Sequence, residues 1–200
     1  MTLIYVPALF LSAVFALGAV MVDSVQDWRV KLMQAHPRLF RIPFGKPDAA
    51  QGYPNCEEGW RDLLERCCAG IEAALAEGGA LRVLQIKEKF GALRFYWSGH
   101  LPDAAKAKVD EAIALAAARS ACTCEICGAE GRLYNRDGWL ATACPEHAKG
   151  ELKPIRPGFE NIHIVRTFGP GRFPIVSCRR YIRETDSFVD VDPKSLGIEE

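Results

Sequence analysis

Two short spacings, Cys124-Glu-Ile-Cys127 and Cys144-Pro-Glu-His147, constrain this chain more than any other feature. Side chains three residues apart converge where the backbone turns tightly, and Gly128 after Cys127 supplies the freedom a knuckle needs. Pro145 suits the first turn of a short helix, on which Cys144 and His147 would face the same way. Between the pairs, residues 132–142 read as two strands around the turn dipeptide Asp137-Gly138. Knuckle, hairpin and helix in that order describe a treble-clef finger over residues 120–152, holding structural Zn(2+) through Cys124, Cys127, Cys144 and His147. Four protein ligands leave no position for water, so no chemistry is expected at the metal. A disulfide framework is the competing reading, but paired short spacings are the metal pattern.

The other cysteines say less. Cys122 is a rival ligand, although Cys122-x-Cys124 is short for a knuckle. Cys56 and Cys67 would lie about 16 Å apart along one helix, too far to bond each other or share a metal. Cys67 falls on an apolar stripe and reads as a small buried hydrophobe.

Residues 1–22 carry no charged side chain. A helix of that length spans roughly 30 Å, the thickness of a hydrocarbon core. The expectation is a single-pass membrane helix with a cytoplasmic body, because Arg29, Lys31, Arg38 and Arg41 all follow the segment. The alternative is initiation at Met21, giving a soluble cytoplasmic protein.

Residues 23–119 read as an α+β body. A helix is expected over 24–36 with Val25, Trp28, Leu32 and His36 on one stripe, stopped by Pro37. A second should start near Asn55, with Glu58 at the capping-box position. Trp60, Leu63, Leu64, Cys67, Ile71 and Leu75 form its stripe, and Gly78-Gly79 ends it. Residues 81–98 then alternate like strands. A type II′ turn at Gly91-Ala92 would pair Lys89 with Arg94 and Lys87 with Tyr96. Leu84, Ile86, Phe90, Leu93, Phe95 and Trp97 would share the core face with Glu88. A further helix, 103–119, carries Val109, Ile113 and Ala116 on one stripe. Residues 153–200 read as a basic β-hairpin turning at Gly169-Pro170-Gly171, followed by an acidic tail.

Three segments together resemble a family of small uncharacterised bacterial and phage-borne proteins. They are CEEGWRDLLERC (56–67), IKEKFGALRFY (86–96), and the finger from ARSACTCEICGAEGRL through GWLATACPEH (118–147). The resemblance implies a compact α+β body joined to a zinc finger, with no particular activity attached.

Charge bounds the function. Lys+Arg and Asp+Glu balance at 25 each, so any nucleic-acid contact must be a local patch. One candidate is the hairpin face with Lys87, Lys89, Arg94 and Tyr96, where opposed like charges call for an anion. The other is the C-terminal hairpin with Arg166, Arg172, Arg179 and Arg180, interleaved with aromatics. Their bland counterparts are a solvated face and a charged, aggregation-resistant sheet edge. The expected function is therefore a zinc-stabilised binding or accessory protein that contacts nucleic acid. The alternatives are a protein-interaction module, such as an inhibitor or immunity-type factor, and a hydrolase acting through Glu88. No phosphate loop, nucleophile elbow or metalloprotease helix occurs.

Overall fold

The computed structural model describes residues 27–168 and 174–198, and the chain is α+β. Helix α1 (Trp28–Ala35) is capped by the Asp27 carboxylate, which accepts from the Arg29 N–H, and it buries Trp28, Leu32 and Met33. The Asp27 carboxyl is held below its ordinary range: burial opposes this, but the Tyr53 hydroxyl and Arg29 outweigh it. Helix α2 (Arg61–Ala74) turns Leu63, Leu64, Cys67, Cys68, Ile71 and Ala74 inward. It starts later than the Asn55 cap expected, because Pro54–Asn55 forms a strand, β1, parallel to β2 (Ala80–Lys89). Antiparallel β3 (Ala92–His100) completes a three-stranded sheet in the order β1-β2-β3. Helix α3 (Asp103–Ser120) lies along α2, and a Cβ at Gly70 would stand only 3.2 Å from the Ala112 methyl. Trp60, Leu64, Ile71, Val83, Ile86, Leu93 and Val109 fill the core between helices and sheet.

The hairpin register differs from expectation by two residues. Lys89 pairs with Ala92, Lys87 with Arg94 and Gln85 with Tyr96. The turn is centred on Phe90 and Gly91, whose φ angles of 59° and 76° are both positive, as a type I′ turn requires. A shift of two preserves the face of each side chain in the regular ladder from Gln85 to Lys89, whereas a shift of one would exchange the faces. One exception has a local cause. A bulge at Leu84, between Val83 and Gln85, switches the alternation, so Val83 is buried and Leu84 exposed. Phe90, expected in the core, sits on the turn and is 62% exposed.

The finger sheet, ordered β5-β4-β6, comprises β4 (Arg132–Arg136), β5 (Trp139–Ala143) and β6 (Glu151–Leu152). The last sheet, β7-β8-β9, comprises β7 (Ile162–Phe168), β8 (Pro174–Ile182) and β9 (Ser187–Val191). Part of the expected acidic tail, Ser187–Val191, is therefore a third strand. Alternating Phe188 and Asp190 with Val189 and Val191 lets it pair with β8 from Cys178 to Ile182.

The membrane expectation is corrected. Among the described residues no helix is long and apolar enough to cross a membrane. The longest, α3, carries Asp103, Lys106, Lys108, Asp110, Glu111 and Arg119. Residues 1–22, on which the single-pass reading rested, lie outside the described residues.

Candidate metal centre and basic surfaces

The knuckle is built by backbone bonds. The Cys124 N–H donates to the Ala129 carbonyl at 2.8 Å and the Gly128 N–H to the Cys124 carbonyl at 2.9 Å. Gly128 has φ 78°, the conformation glycine adopts without strain. Opposite it, β4 and β5 pair around Asp137 (φ 52°) and Gly138 (φ 91°), as expected from the sequence. At the end of β5, residues 144–147 make a single turn in which the His147 N–H donates to the Cys144 carbonyl at 3.1 Å. The short helix expected there does not form. Residues 151–152 pair with β4 at Asn135 and Tyr134, and the chain bends back at Gly150 (φ 87°) to reach them.

The ligand atoms of Cys124, Cys127, Cys144 and His147 all lie within 4.8 Å of one another, close enough to hold a metal ion. Cys144 Sγ lies 3.2 Å from His147 Nδ1, Cys124 Sγ 3.6 Å from the same nitrogen, and Cys127 Sγ 3.6 Å from Cys144 Sγ. Bonds of about 2.3 Å to sulfur and 2.0 Å to nitrogen in a tetrahedron give edges of roughly 3.5–3.8 Å. Two of these three distances, at 3.6 Å, fall in that range, and the third, at 3.2 Å, is about 0.3 Å or more shorter. The Cys124 thiol is lowered to about 6: burial opposes this, but the N–H groups of Cys144, Cys127 and Ile126 favour the thiolate. Cys122 stays outside the cluster, with its Sγ 3.3 Å from the Arg119 carbonyl and its thiol raised by burial. Cys56 and Cys67 are buried, and burial pushes each thiol up to about 12.

The finger is seated on the body by contacts that single motifs do not reveal. The Gly59 N–H donates to the Glu125 carbonyl at 2.8 Å, and the buried Trp60 indole N–H to the Thr123 carbonyl at 3.0 Å. A Cβ at Gly59 would stand 2.3 Å from the Cys124 carbonyl oxygen. On the other side, the Thr142 hydroxyl donates to the Gly91 carbonyl at 2.6 Å. The three segments that carry the family resemblance thus meet at one junction. Their occurrence in one chain was the only sequence signal for it.

The basic residues divide. Lys87, Lys89 and Arg94 share the hairpin face with Tyr96 and pair with no carboxylate among the described residues. The Lys87 ammonium lies 5.7 Å from the Tyr96 ring centre, and Lys89 lies 5.0 Å from that of Phe90. Of the second expected patch, Arg179 and Arg180 are engaged within the fold. Arg179 donates to Glu111 at 2.6 Å and lies over Phe188, while Arg180 donates to the Gly158 carbonyl and sits 3.9 Å from Glu160. Arg183 donates to the Thr123 hydroxyl at 2.5 Å and the Gly128 carbonyl at 3.3 Å, bracing the knuckle. Arg172 and the Arg166 side chain lie outside what is described. Asp186, from the expected acidic tail, binds Arg66 at 3.2 Å and Arg119 at 3.3 Å and accepts from the Tyr181 hydroxyl at 2.6 Å.

Glu88 is engaged at the hairpin turn. Its carboxylate accepts from the Gly91 N–H at 2.5 Å and closes the hairpin turn. His36 Nδ1 lies 2.9 Å from a Glu72 carboxylate oxygen, and the His163 ring packs against Phe188 at a 42° tilt. No protein-family model matches the chain, and no curated protein or solved structure matches it significantly.

Proposed function

We propose that this protein is a zinc-stabilised binding protein that contacts nucleic acid through the basic face of the β2–β3 hairpin. The observation that carries this reading is the Lys87, Lys89, Arg94 and Tyr96 face, cationic and without a paired carboxylate among the described residues. Three thiolates and one imidazole form the nitrogen–sulfur donor set that zinc prefers, with every position filled by protein. The metal is then structural, in a treble-clef-like finger whose last helix is reduced to one turn. The three coupled segments support membership of the small bacterial and phage-borne family they resemble.

Titration of unrelated DNA and RNA against salt tests the function. Log K should fall linearly with log salt, and Lys87→Gln, Lys89→Gln or Arg94→Gln should each reduce the slope by about 1. Absence of binding at low salt would refute the reading. A second reading, a protein-interaction module of the inhibitor or immunity type, rests on the finger's edge strand β6, beside which Leu152 and Ile155 are each 41% exposed. Capture of one defined protein at high salt, abolished by Leu152→Asp, would favour it.

A further inference from the structure

The finger hairpin turns one face to the body; on the other, Ala143 and Tyr134 pack on the Cys124 and Cys144 cluster while the end nearest the turn meets solvent. Leu133 and Thr142 are cross-strand partners, and both approach Gly91. By alternation Tyr134, Arg136, Trp139 and Ala141 occupy the opposite face. There Trp139 is 82% exposed, whereas Trp60 is wholly buried. A lone exposed ring is ordinary on a protein surface, but here the indole is grouped with Tyr134 and the half-exposed Ile126 beside two cations. Arg136 is its direct cross-strand partner. Trp139, Tyr134 and Ile126 line a shallow cavity of about 230 Å³, and Arg136 and Lys149 line it too. One carboxylate borders it, Glu125, and that side chain is engaged by the Glu57 N–H at 3.1 Å.

An exposed ring flanked by cations suits a flat, polyanionic ligand better than a peptide. Aromatic rings stack nucleobases at about 1–3 kcal/mol per base, and Arg and Lys meet the flanking phosphates. We infer that the exposed end of this hairpin face is a single-stranded nucleic-acid subsite, in which Trp139 stacks an unpaired base and Arg136 and Lys149 contact its phosphates. The inference rests on the nucleic-acid reading above and adds a strand preference to it. Only an unstacked base offers its π-face, so single strands bind here and duplexes do not.

The test uses the full, metal-loaded chain, with fluorescence anisotropy of labelled oligothymidylate and oligouridylate and of a duplex of equal length. Trp139→Ala should weaken single-strand binding by roughly 5- to 150-fold. It should leave duplex affinity and the salt slope unchanged, and Trp139→Phe should retain most of the affinity. Arg136→Gln should instead lower the single-strand salt slope by about 1. Metal content and thermal midpoint equal to the parent show that the variants are folded. Unchanged single-strand affinity in Trp139→Ala, with affinity lost in Lys87→Gln, would overturn the subsite and leave the broader reading standing. Equal losses for single strand and duplex would overturn stacking. Absence of binding to every oligonucleotide would remove both, and loss of a captured protein in Trp139→Ala would then reassign the face.

Discussion

The body and the finger differ sharply in how much apolar surface they bury. The body closes over Trp60, Met33, Leu39, Leu64, Ile71, Ile86 and Val109, all fully buried. Each such side chain contributes roughly 1.5–3 kcal/mol of burial. The finger's buried cluster is Cys124, Ala143 and Cys144, with Tyr134 and Ala148 packed beside it. Two of those three buried residues belong to the candidate metal cluster, so the finger has almost no apolar core apart from that cluster. In a region that small, a metal ion held by this cluster would supply the ordering that apolar packing supplies in the body. The two are also interlocked, because Gly59, Trp60 and Gly91 of the body seat directly on the knuckle and on β5.

Removing the metal should break the comparison most sharply. Structural zinc contributes on the order of 10 kcal/mol or more in small fingers. Chelation, or Cys144→Ser, should therefore unfold residues 122–152 while α2, α3 and the β2–β3 sheet persist. Hydrogen exchange should collapse across the finger and rise at Gly59 and Gly91, with protection kept at Ile71 and Ile86. Elemental analysis showing no stoichiometric metal, or global loss of protection, would contradict this division of labour.

The tryptophans sharpen the contrast. Trp60→Ala empties a fully buried site and orphans the Thr123 carbonyl, so chemical denaturation should show a loss of about 3–5 kcal/mol. Trp139→Ala, at an exposed position, should change stability by only about 0.5 kcal/mol. Comparable effects of the two would mean that the finger hairpin is packed, not presented.

The junction should respond at an intermediate level. A methyl at Gly59 would collide with backbone atoms of Cys124, Glu125 and Gly128, which cannot swing aside as a side chain would. Gly59→Ala should cost about 1–3 kcal/mol and speed metal release to a competing chelator. Gly138→Ala serves as the control for packing: nothing lies within 4 Å of a Cβ there, so its cost comes only from the strain of φ 91°.

The smallest effect concerns the ionic seam between the C-terminal sheet and the body. The Asp186 carboxyl lies below its ordinary range: burial opposes this, but the Tyr181 hydroxyl, Arg119 and Arg66 outweigh it. A depressed folded pKa means that the stabilisation is complete above the ordinary value of 3.8 and is lost as pH falls through the lower folded value. Because the seam is partly exposed, Asp186→Asn should cost about 1 kcal/mol or less at neutral pH. Thermal midpoints of parent and variant should converge on acidification below about pH 4, and a constant gap would assign the effect to packing.

What was legible in the sequence was local. Cys124, Cys127, Cys144 and His147 could be chosen because each pair is fixed by a turn within its own few residues. The hairpin faces were legible because alternation is a property of each strand. Its register was not. A Phe-Gly pair is a poor advertisement for a type I′ turn, since a bulky residue rarely takes positive φ. The Phe90 conformation is fixed in part by the Glu88 carboxylate on the Gly91 N–H and by the Thr142 hydroxyl on the Gly91 carbonyl. The latter comes from the finger, distant in sequence.

The arginines make the same point about function. In sequence Arg179, Arg180 and Arg183 resembled Lys87, Lys89 and Arg94, two basic runs beside aromatics. Only the packing of β8 against α3 and the knuckle turned the first group towards Glu111, Gly158 and Thr123, and left the second facing outward. The sequence alone determined the ligand spacing, the apolar stripe of α2 and the side of the hairpin for the residues between the bulge and the turn and along β3, because those depend on a few neighbouring residues. The tertiary structure decided the turn, the third strand β9, the seating of the finger and which charges remain free, because a charge is neutralised by whatever distant element folds against it.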